Sequence, residues 1–441
     1  MATNATPALN RRLLYVAWQK QAAWNTAVNM ASANYWRWRQ GTKETPAHQY
    51  TDEKEGDTAA WETLSTKETI YRKFTVVEAV RPITAGCAIA AFCGTGSDTL
   101  TAPAKSTTLS APVAVGATQI VTVGDLTNVG SLGVSLEGGY SSSTNETVTL
   151  DLTTRTGTGP WTYTLAGGAK CAFAHSAAGT VTSVIQHAIA PTLYAFDPYT
   201  VEFGYGNAAV TTLGPTRALR LRDAVCYGLK LSGTRGGKYL MLQSDWWAAV
   251  SAVQASGSFL TPVYEGGTMS QNTGGNASSP FAFAQALGNW QLDGATTGHA
   301  AAIEQFSISL QRGGAKAEDF INESLTPNFF MAGDISVSGS LQVQFQTFQQ
   351  LDEAIYGVAS AGTNAADAIA FVTGQFSTSF ALDAINSFGF SIPRARWAAP
   401  ALDMNPQAGP VKLPLSFKAL GPSWSTAPIS FTLKNSYNTA Y

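Results

Sequence analysis

The sequence predicts a mainly β protein: two tandem β-sandwich domains, each with a short flanking helix, and a small β module inserted in the first. Three observations predict this organisation. Long stretches alternate apolar and polar residues, which is typical of strands with one buried face. Clusters of glycine, proline and asparagine separate these stretches. One order of elements (strand, long polar loop, strand, short helix, closing hairpin) occurs in each half of the 441 residues, and this length leaves room for two or three domains.

The second copy of this order is the clearer one. A strand around residues 306–310 leads into a long loop over residues 311–332, and a second strand returns over residues 334–345. Loops of this length inside a compact unit are usually functional or disordered. Apolar residues at helical spacing predict a short amphipathic helix over residues 348–359. Alternation between residues 388 and 418 predicts the closing strands.

The returning strand of the second copy has one apolar face and one polar, uncharged face. Its apolar residues include Val337, Leu341 and Val343. Side chains two residues apart in a strand share a face, so five polar side chains form the other face: Ser336, Ser338, Ser340, Gln342 and Gln344. An ordinary solvent-exposed sheet face is the alternative interpretation of this pattern.

The first copy follows the same order with a less regular pattern. The opening strand is predicted at residues 35–38, the long loop at 40–65 and the returning strand at 69–77. A helix is predicted to begin near Pro82, because proline is favoured in the first turn of a helix. Glycines turn the closing hairpin between residues 225 and 247. Since β-rich chains also repeat such patterns by chance, the duplication is a prediction with that alternative.

Residues 99–185 differ in character, with many Thr, Ser, Gly, Ala and Val residues and few charges. Short strands at close spacing predict an independently folded β module, since the stretch is long enough for its own core. An enlarged loop with hairpins is the alternative. The first domain would then consist of residues 1–98, including an N-terminal arm, and residues 186–263. The second domain would span residues 264–441.

The composition argues against several classes of function. Charged residues make up 13% of the chain and the formal net charge is −2, so neither a basic nucleic-acid-binding surface nor an acidic tail is indicated. A surface this poor in charge fits a protein that packs against copies of itself, although a compositional habit of the source organism is an alternative explanation. The 11 Trp, 15 Tyr and 21 Phe residues are expected mainly as core anchors.

Targeting and metal-binding signals are also missing from the sequence. Residues 1–10 are polar and the apolar run 13–18 is too short for a secretion signal, so synthesis in the cytoplasm is expected. The four cysteines form no Cys-x-x-Cys pair. Cys87 and Cys93 lie on the predicted helix and are expected as buried thiols. The histidines are scattered over predicted loops without metal-ligand spacing, so no metal or cofactor is expected.

The sequence offers no catalytic constellation. It contains no Gly-x-Ser-x-Gly, Walker A or dinucleotide-binding motif. Adjacent acids occur at residues 52–53, 318–319 and 352–353. Neighbouring carboxylates point apart in a strand and lie on a solvated helix face, so they do not form the pair that a polysaccharide-cleaving enzyme needs. We therefore do not expect an enzyme.

The layout and three stretches of sequence resemble the tail tube proteins of long-tailed bacteriophages, in particular the enlarged siphophage type. The resemblance lies in the order and texture of the residues and covers nearly the whole chain apart from the insert. The stretches are LYVAWQKQAAWNTA at 14–27, FMAGDISVSGSLQVQFQTFQQLDE at 330–353, and the segments FGFSIPRARWAAP, GPVKLPLSFKALGP and ISFTLKNSYNTAY within 388–441. The insert departs from a minimal tube subunit and looks like the β-rich decorations of other phage virion proteins.

The resemblance implies a structural virion protein that self-assembles into stacked rings and forms the tail tube, the conduit for DNA ejection. In this family each domain is a β-sandwich with a flanking helix, and its sheet joins those of its neighbours around the ring. Its expected partners are other copies of itself, the tape measure protein in the lumen, and the tail terminator and tip proteins. Genomic DNA would pass without specific binding, because phosphate affinity comes mainly from Lys and Arg, which the polar strand face lacks.

The resemblance also assigns candidate contact residues. The two long loops would reach the adjacent ring, with Asp52, Glu53 and Lys54 in the first loop and Lys316, Glu318 and Asp319 in the second. Segments 11–24 and 429–441 would make further contacts between subunits. A chain with two tube domains would close a ring as three copies with pseudo-sixfold symmetry, through head-to-tail interfaces. The alternative function is a β-sandwich adhesin or fibre-type protein that binds carbohydrate through its Tyr and Trp clusters.

Overall fold

The computed structural model of the chain is mainly β. It describes residues 11–28, 34–36, 39–53, 64–100, 106–126, 134–136, 146–183, 185–192, 195–207, 217–254, 280–286, 290–292, 303–313, 330, 332–344, 373–382, 386–398, 412–423, 425–435 and 440–441. Within these residues there is one α-helix, and it is not long and apolar enough to cross a membrane.

The strands and the helix are numbered in chain order. Up to residue 136 they are β1 (Arg11–Lys20), β2 (Asn34–Trp36), β3 (Lys43–Glu53), β4 (Leu64–Ala79), α1 (Thr84–Cys93), β5 (Asp98–Leu100), β6 (Ser106–Thr108), β7 (Gln119–Thr122) and β8 (Val134–Leu136). They continue with β9 (Glu146–Val148), β10 (Leu150–Thr156), β11 (Trp161–Leu165), β12 (Thr180–Ser183), β13 (Ile185–Ile189), β14 (Tyr199–Asn207), β15 (Arg217–Thr234) and β16 (Met241–Gln254). The last seven are β17 (Gln291–Leu292), β18 (Ile303–Gly313), β19 (Asp334–Gln344), β20 (Thr373–Ala381), β21 (Ser387–Ala398), β22 (Lys412–Ala419) and β23 (Ser430–Asn435).

Sixteen strands form one antiparallel sheet in which the same set of pairings occurs twice. In the first half β3 pairs with β4, β4 with β16, β16 with β15, β15 with β14, and β14 with β1. In the second half β18 pairs with β19, β19 with β22, β22 with β21, β21 with β20, and β20 with β17. Each set uses its strands in the same chain order. We call these sets the first unit and the second unit.

The two units are hydrogen-bonded to each other. Strand β15 is 18 residues long. It pairs with β16 along one edge, whereas its other edge is shared between β14, near residues 217–224, and β18, near residues 228–234. Strand β18 therefore has two partners, β19 in its own unit and β15 in the other.

One continuous apolar core lies behind this sheet and contains residues of both units. Helix α1 packs into it with every residue buried, as expected for a sequence made almost entirely of Ala, Ile, Phe, Cys and Gly. In the first unit Phe74 stacks on Trp246 with ring centroids 5.6 Å apart. In the second unit Trp290 stacks on Phe376 at 5.9 Å. These aromatic residues serve as the core anchors that the composition predicts.

The inserted stretch has two small sheets and its own apolar cluster. One sheet contains β10, β11 and β7, and the other contains β6, β12, β8 and β9. All members of the cluster lie between residues 109 and 181. The strands on either side, β5 and β13, pair with each other, and β13 pairs with β23 in the main sheet. The predicted limits 99 and 185 therefore fall within strands of the main sheet.

Parts of the predicted loop 40–65 are strands, so that prediction is wrong for residues 43–53, in β3, and for residues 64–65, at the start of β4. Strand β3 pairs with β4 from Lys43 to Glu53. Its sequence, KETPAHQYTDE, is polar and does not alternate, because a strand at the edge of a sheet need not bury a side-chain face to be held by its ladder of backbone hydrogen bonds.

Three other expectations about connectivity change. The strand near residue 35 does not open the first unit as predicted: it pairs with β1, and β3 is the counterpart of β18. Segment 11–24 is not a free arm, because residues 11–20 form β1 between β14 and β2. Segment 429–441 is likewise held within the chain, since β23 lies between β13 and β21 and Tyr441 is buried. Local patterns miss these placements because each depends on a partner distant in sequence.

Other predictions agree with the described elements. Helix α1 begins two residues after Pro82, the hairpin of β15 and β16 turns at residues 235–240, and β22 alternates as expected, with Leu415 and Phe417 buried between exposed Ser416 and Lys418. The predicted helix 348–359 lies outside the described residues.

Candidate assembly surfaces

The polar face of β19 is oriented as predicted. Ser336, Ser338 and Ser340 are exposed, and Gln342 and Gln344 are half-buried. The residues between them point into the core, where Val337, Leu341 and Val343 are nearly inaccessible. Since the side-chain period of a strand is two, this arrangement fixes which face of the second unit meets solvent.

The polar face continues across the neighbouring strands. Side chains directly opposite each other on adjacent strands share a face, and Ser338 lies opposite Ser309 on one side and Lys418 on the other. Ser309 in turn lies opposite Lys230 of the first unit. Both lysines are exposed. The face is therefore uncharged from Ser336 to Gln344, as the sequence predicts, but the exposed Asp334 at the start of β19 shares it, and positive charges of other strands border it.

An aromatic cluster occupies the same sheet face in the first unit. Tyr227 stacks on Trp247 with ring centroids 4.4 Å apart, and Phe330 covers Trp247 at 5.8 Å. Trp24 contacts Phe330 from the other side at 6.4 Å. Phe330 comes from the predicted loop 311–332 of the second unit, so at this point the loop segment returns to the sheet of the first unit.

The predicted stacking residues are only partly described. Asp52 and Glu53 lie at the end of β3, paired with Ser65 and Leu64 of β4. They therefore stand near the tip of a long hairpin and not within an open loop. Lys54, Lys316, Glu318 and Asp319 lie outside the described residues, and their stacking role stays a prediction.

The outer edge of β3 is the second candidate surface. Within the described part of the chain β4 is the only partner of β3, which leaves an edge strand of 11 residues. The corresponding strand of the second unit, β18, uses its equivalent edge to pair with β15. Pro46 lies within β3, and proline in sheets is confined to positions such as edges where no ladder hydrogen bond is lost.

A buried arginine joins the units and was not singled out by sequence reasoning. Arg312 of β18 is 5% exposed and caps helix α1. Its Nε donates to the carbonyl oxygen of Phe92 at 2.9 Å, and its Nη2 donates to those of Cys93 at 2.9 Å and Thr192 at 3.3 Å. The guanidinium also lies over the rings of Phe196 and Phe92, 4.9 and 5.5 Å from their centroids.

The environment of Arg312 is unusual because no carboxylate pairs with it among the described residues. Burial lowers the pKa of the guanidinium. The negative end of the helix dipole compensates part of the cost of burying its charge. In the sequence Arg312 only follows the alternating pattern of β18, so nothing in its own neighbourhood indicated this contact.

The cysteines and histidines form no reactive centre in the described residues. All four cysteines are free and buried. Burial raises the pKa of the Cys87 and Cys226 thiols well above the usual range, so they remain protonated. Among these residues, no group of three or more His, Cys, Asp and Glu side chains is arranged to hold a metal ion.

Two histidines are buried beside carboxylates, contrary to the expectation that all lie on loops. His187 is part of β13 and lies 2.8 Å from Asp98, and His175 lies 2.7 Å from Glu146. Each pair links strands or turns distant in sequence through a short contact between an imidazole nitrogen and a carboxylate oxygen. A scan against protein-family models and a search of curated proteins found no match to the chain.

Proposed function

We propose that the chain is a structural subunit that assembles with copies of itself into stacked rings, and that these form the tail tube of a long-tailed bacteriophage. One observation supports the proposal: the two units are joined through β15 and β18, whereas β3, the counterpart of β18, has no second partner strand among the described residues.

An edge strand of this length can pair with another chain, although Pro46 already removes one N–H donor from β3. Along the outer edge of β3, backbone N–H and C=O groups without a partner strand in the described part of the chain are a template for a further strand. Repeating the contact between β15 and β18 at β3 would place the second unit of one chain against the first unit of the next. Such a head-to-tail interface closes into a ring when the rotation between successive chains divides a full turn evenly. Three chains with two units each would supply six units, with pseudo-sixfold symmetry.

The polar sheet face supports the assignment of a channel wall. Serines and glutamines dominate its centre on β18 and β19, with Ser307 opposite Ser340 and Ser309 opposite Ser338. A wall with few cations holds DNA phosphates weakly, so DNA and a tape measure protein would slide along it. In the assembled ring this face would point inward and the insert outward, since a module in the bore would block it.

Electron microscopy of the full chain tests the proposal. We expect hollow tubes or stacked rings, with three chains per ring by mass measurement. Six chains per ring would contradict the role of the two units, whereas discrete particles that bind a glycan would favour the adhesin.

A proline in β3 tests the open edge itself. If the nitrogen of Pro46 faces the outer edge, the N–H of His48, two residues on, faces it too. We expect His48→Pro to abolish tubes while leaving the chain folded by circular dichroism. Thr99→Pro, in the short exposed edge strand β5, is the matched control and is expected to assemble. Assembly of His48→Pro at the wild-type level would refute the joint at β3.

A further inference from the structure

The start of helix α1 lacks a side-chain cap. Ile83 occupies the N-cap position and makes no side-chain hydrogen bond to the first turn. Tyr441 holds this turn from outside the helix, since its hydroxyl donates to the carbonyl oxygen of Ile83 at 2.8 Å. Its ring fills the notch left by Gly86, where a Cβ atom would collide with it. The position of the first helical turn therefore depends more on packing against Tyr441 than on a capping hydrogen bond.

A buried acid faces this turn from the sheet. Glu78 of β4 is 2% exposed, and neither carboxyl oxygen makes a hydrogen bond within the described residues. Burial raises the pKa of Glu78 from 4.5 to about 7; the Thr84 hydroxyl, which lies beside the carboxyl without forming a hydrogen bond of standard geometry, and the Arg81 guanidinium lower it in part. Cys87, one turn into the helix, interacts electrostatically with the carboxyl group of Glu78. Cys226 of β15 also raises the pKa of Cys87, and Lys20 of β1 lowers it.

The fold itself does not require an acid at this place. Strand β19 is the counterpart of β4 in the second unit, and its core-facing side chains are apolar: Val337, Leu341 and Val343. An aliphatic residue at position 78 would avoid the cost of burying a carboxyl group. Retaining a carboxyl there therefore costs stability without improving the packing.

We propose that Glu78 is a proton-controlled latch on the first turn of helix α1. With a neutral carboxyl the turn stays seated against β4. A charged carboxyl needs water or hydrogen-bond donors, and the first turn of α1 offers N–H groups at the positive end of the helix dipole; those of Ala85 and Gly86 now donate at 3.3 Å to the carbonyl oxygens of Arg81 and Ile83. Reaching them requires the turn to move and Tyr441 to leave its notch. This inference does not depend on the proposed function.

Hydrogen–deuterium exchange of the full chain tests the latch. If the acid has its ordinary pKa of 4.5 in the open form and about 7 in the seated form, the opening equilibrium rises about tenfold between pH 6 and pH 8. We expect exchange of the α1 amides, corrected for intrinsic rates, to rise by that factor. Glu78→Gln, which is neutral at every pH, is expected to show no rise.

Two further variants complete the test. Glu44→Gln is the matched control, since Glu44 is a partly buried glutamate on β3, paired with Arg72, and it is expected to behave as wild type. Thr84→Val removes a hydroxyl that favours the charged carboxyl, so the transition should move to higher pH. The same rise in Glu78→Gln as in wild type, or a flat wild-type profile, would overturn the proposal. Should Glu78→Gln not fold, an unmoved transition in Thr84→Val would overturn it.

Discussion

Replacing Arg312 with methionine is expected to loosen the connection between the two units. The change removes donors to the carbonyl oxygens of Phe92, Cys93 and Thr192, two of them at 2.9 Å, and keeps most of the side-chain volume. Buried hydrogen bonds from a charged group contribute about 1.5–3 kcal/mol each. Arg312→Met also ends the desolvation of the guanidinium, which offsets part of the loss. We expect a net destabilisation of about 3 kcal/mol.

Urea unfolding followed by tryptophan fluorescence measures this effect. Arg312→Lys keeps the charge but has one ammonium group in place of the planar fork, so it should lose about half as much. Arg394→Met is the matched control, because Arg394 is an exposed arginine of β21 and surface changes of this kind stay within about 0.5 kcal/mol. If Arg312→Met destabilises the chain no more than Arg394→Met, the guanidinium does not hold α1 to β18.

Three further outcomes follow from the structure. Glu78→Gln should stabilise the chain by about 3 kcal/mol at pH 8 and hardly at pH 4. The reason is that the pKa of Glu78 is raised in the folded state, so the stability of the wild-type chain falls as the pH rises from 4.5 to about 7. Equal effects of the substitution at both pH values in thermal unfolding would contradict this. Gly86→Ala should expel the Tyr441 ring and cost about 1–3 kcal/mol, with a neutral result showing that the notch is not tight. Deleting residues 106–183 should leave tubes of the same bore and smaller outer diameter by electron microscopy; failure to assemble would refute the outward placement.

Local patterns in the sequence predicted the elements whose signal lies within their own residues. The alternation of β19 specifies which side chains enter the core, and the apolar run after Pro82 specifies α1. Strand β3 was missed because it is polar and non-alternating, and its backbone pairing with β4 leaves little trace in its own residues.

Contacts between segments distant in the sequence were the second kind of feature that local patterns did not predict. The capping of α1 by Arg312 spans 220 positions, and the joint of β15 with β18 depends on the shape of the whole sheet. The polar face shows the same limit, since the lysines that border the uncharged residues 336–344 of β19 come from β15 and β22. A single strand predicts its own two faces but not its neighbours.

The pairing of β5 with β13 has a consequence for how the insert can change. Paired strands keep the two attachment points about 4.8 Å apart, whatever chain lies between them. Any module whose own ends lie that close together could replace residues 106–183 without disturbing the sheet beneath. Different inserted domains could therefore be accommodated at this position. We expect related chains to differ in the length and sequence of this insert more than in any other segment.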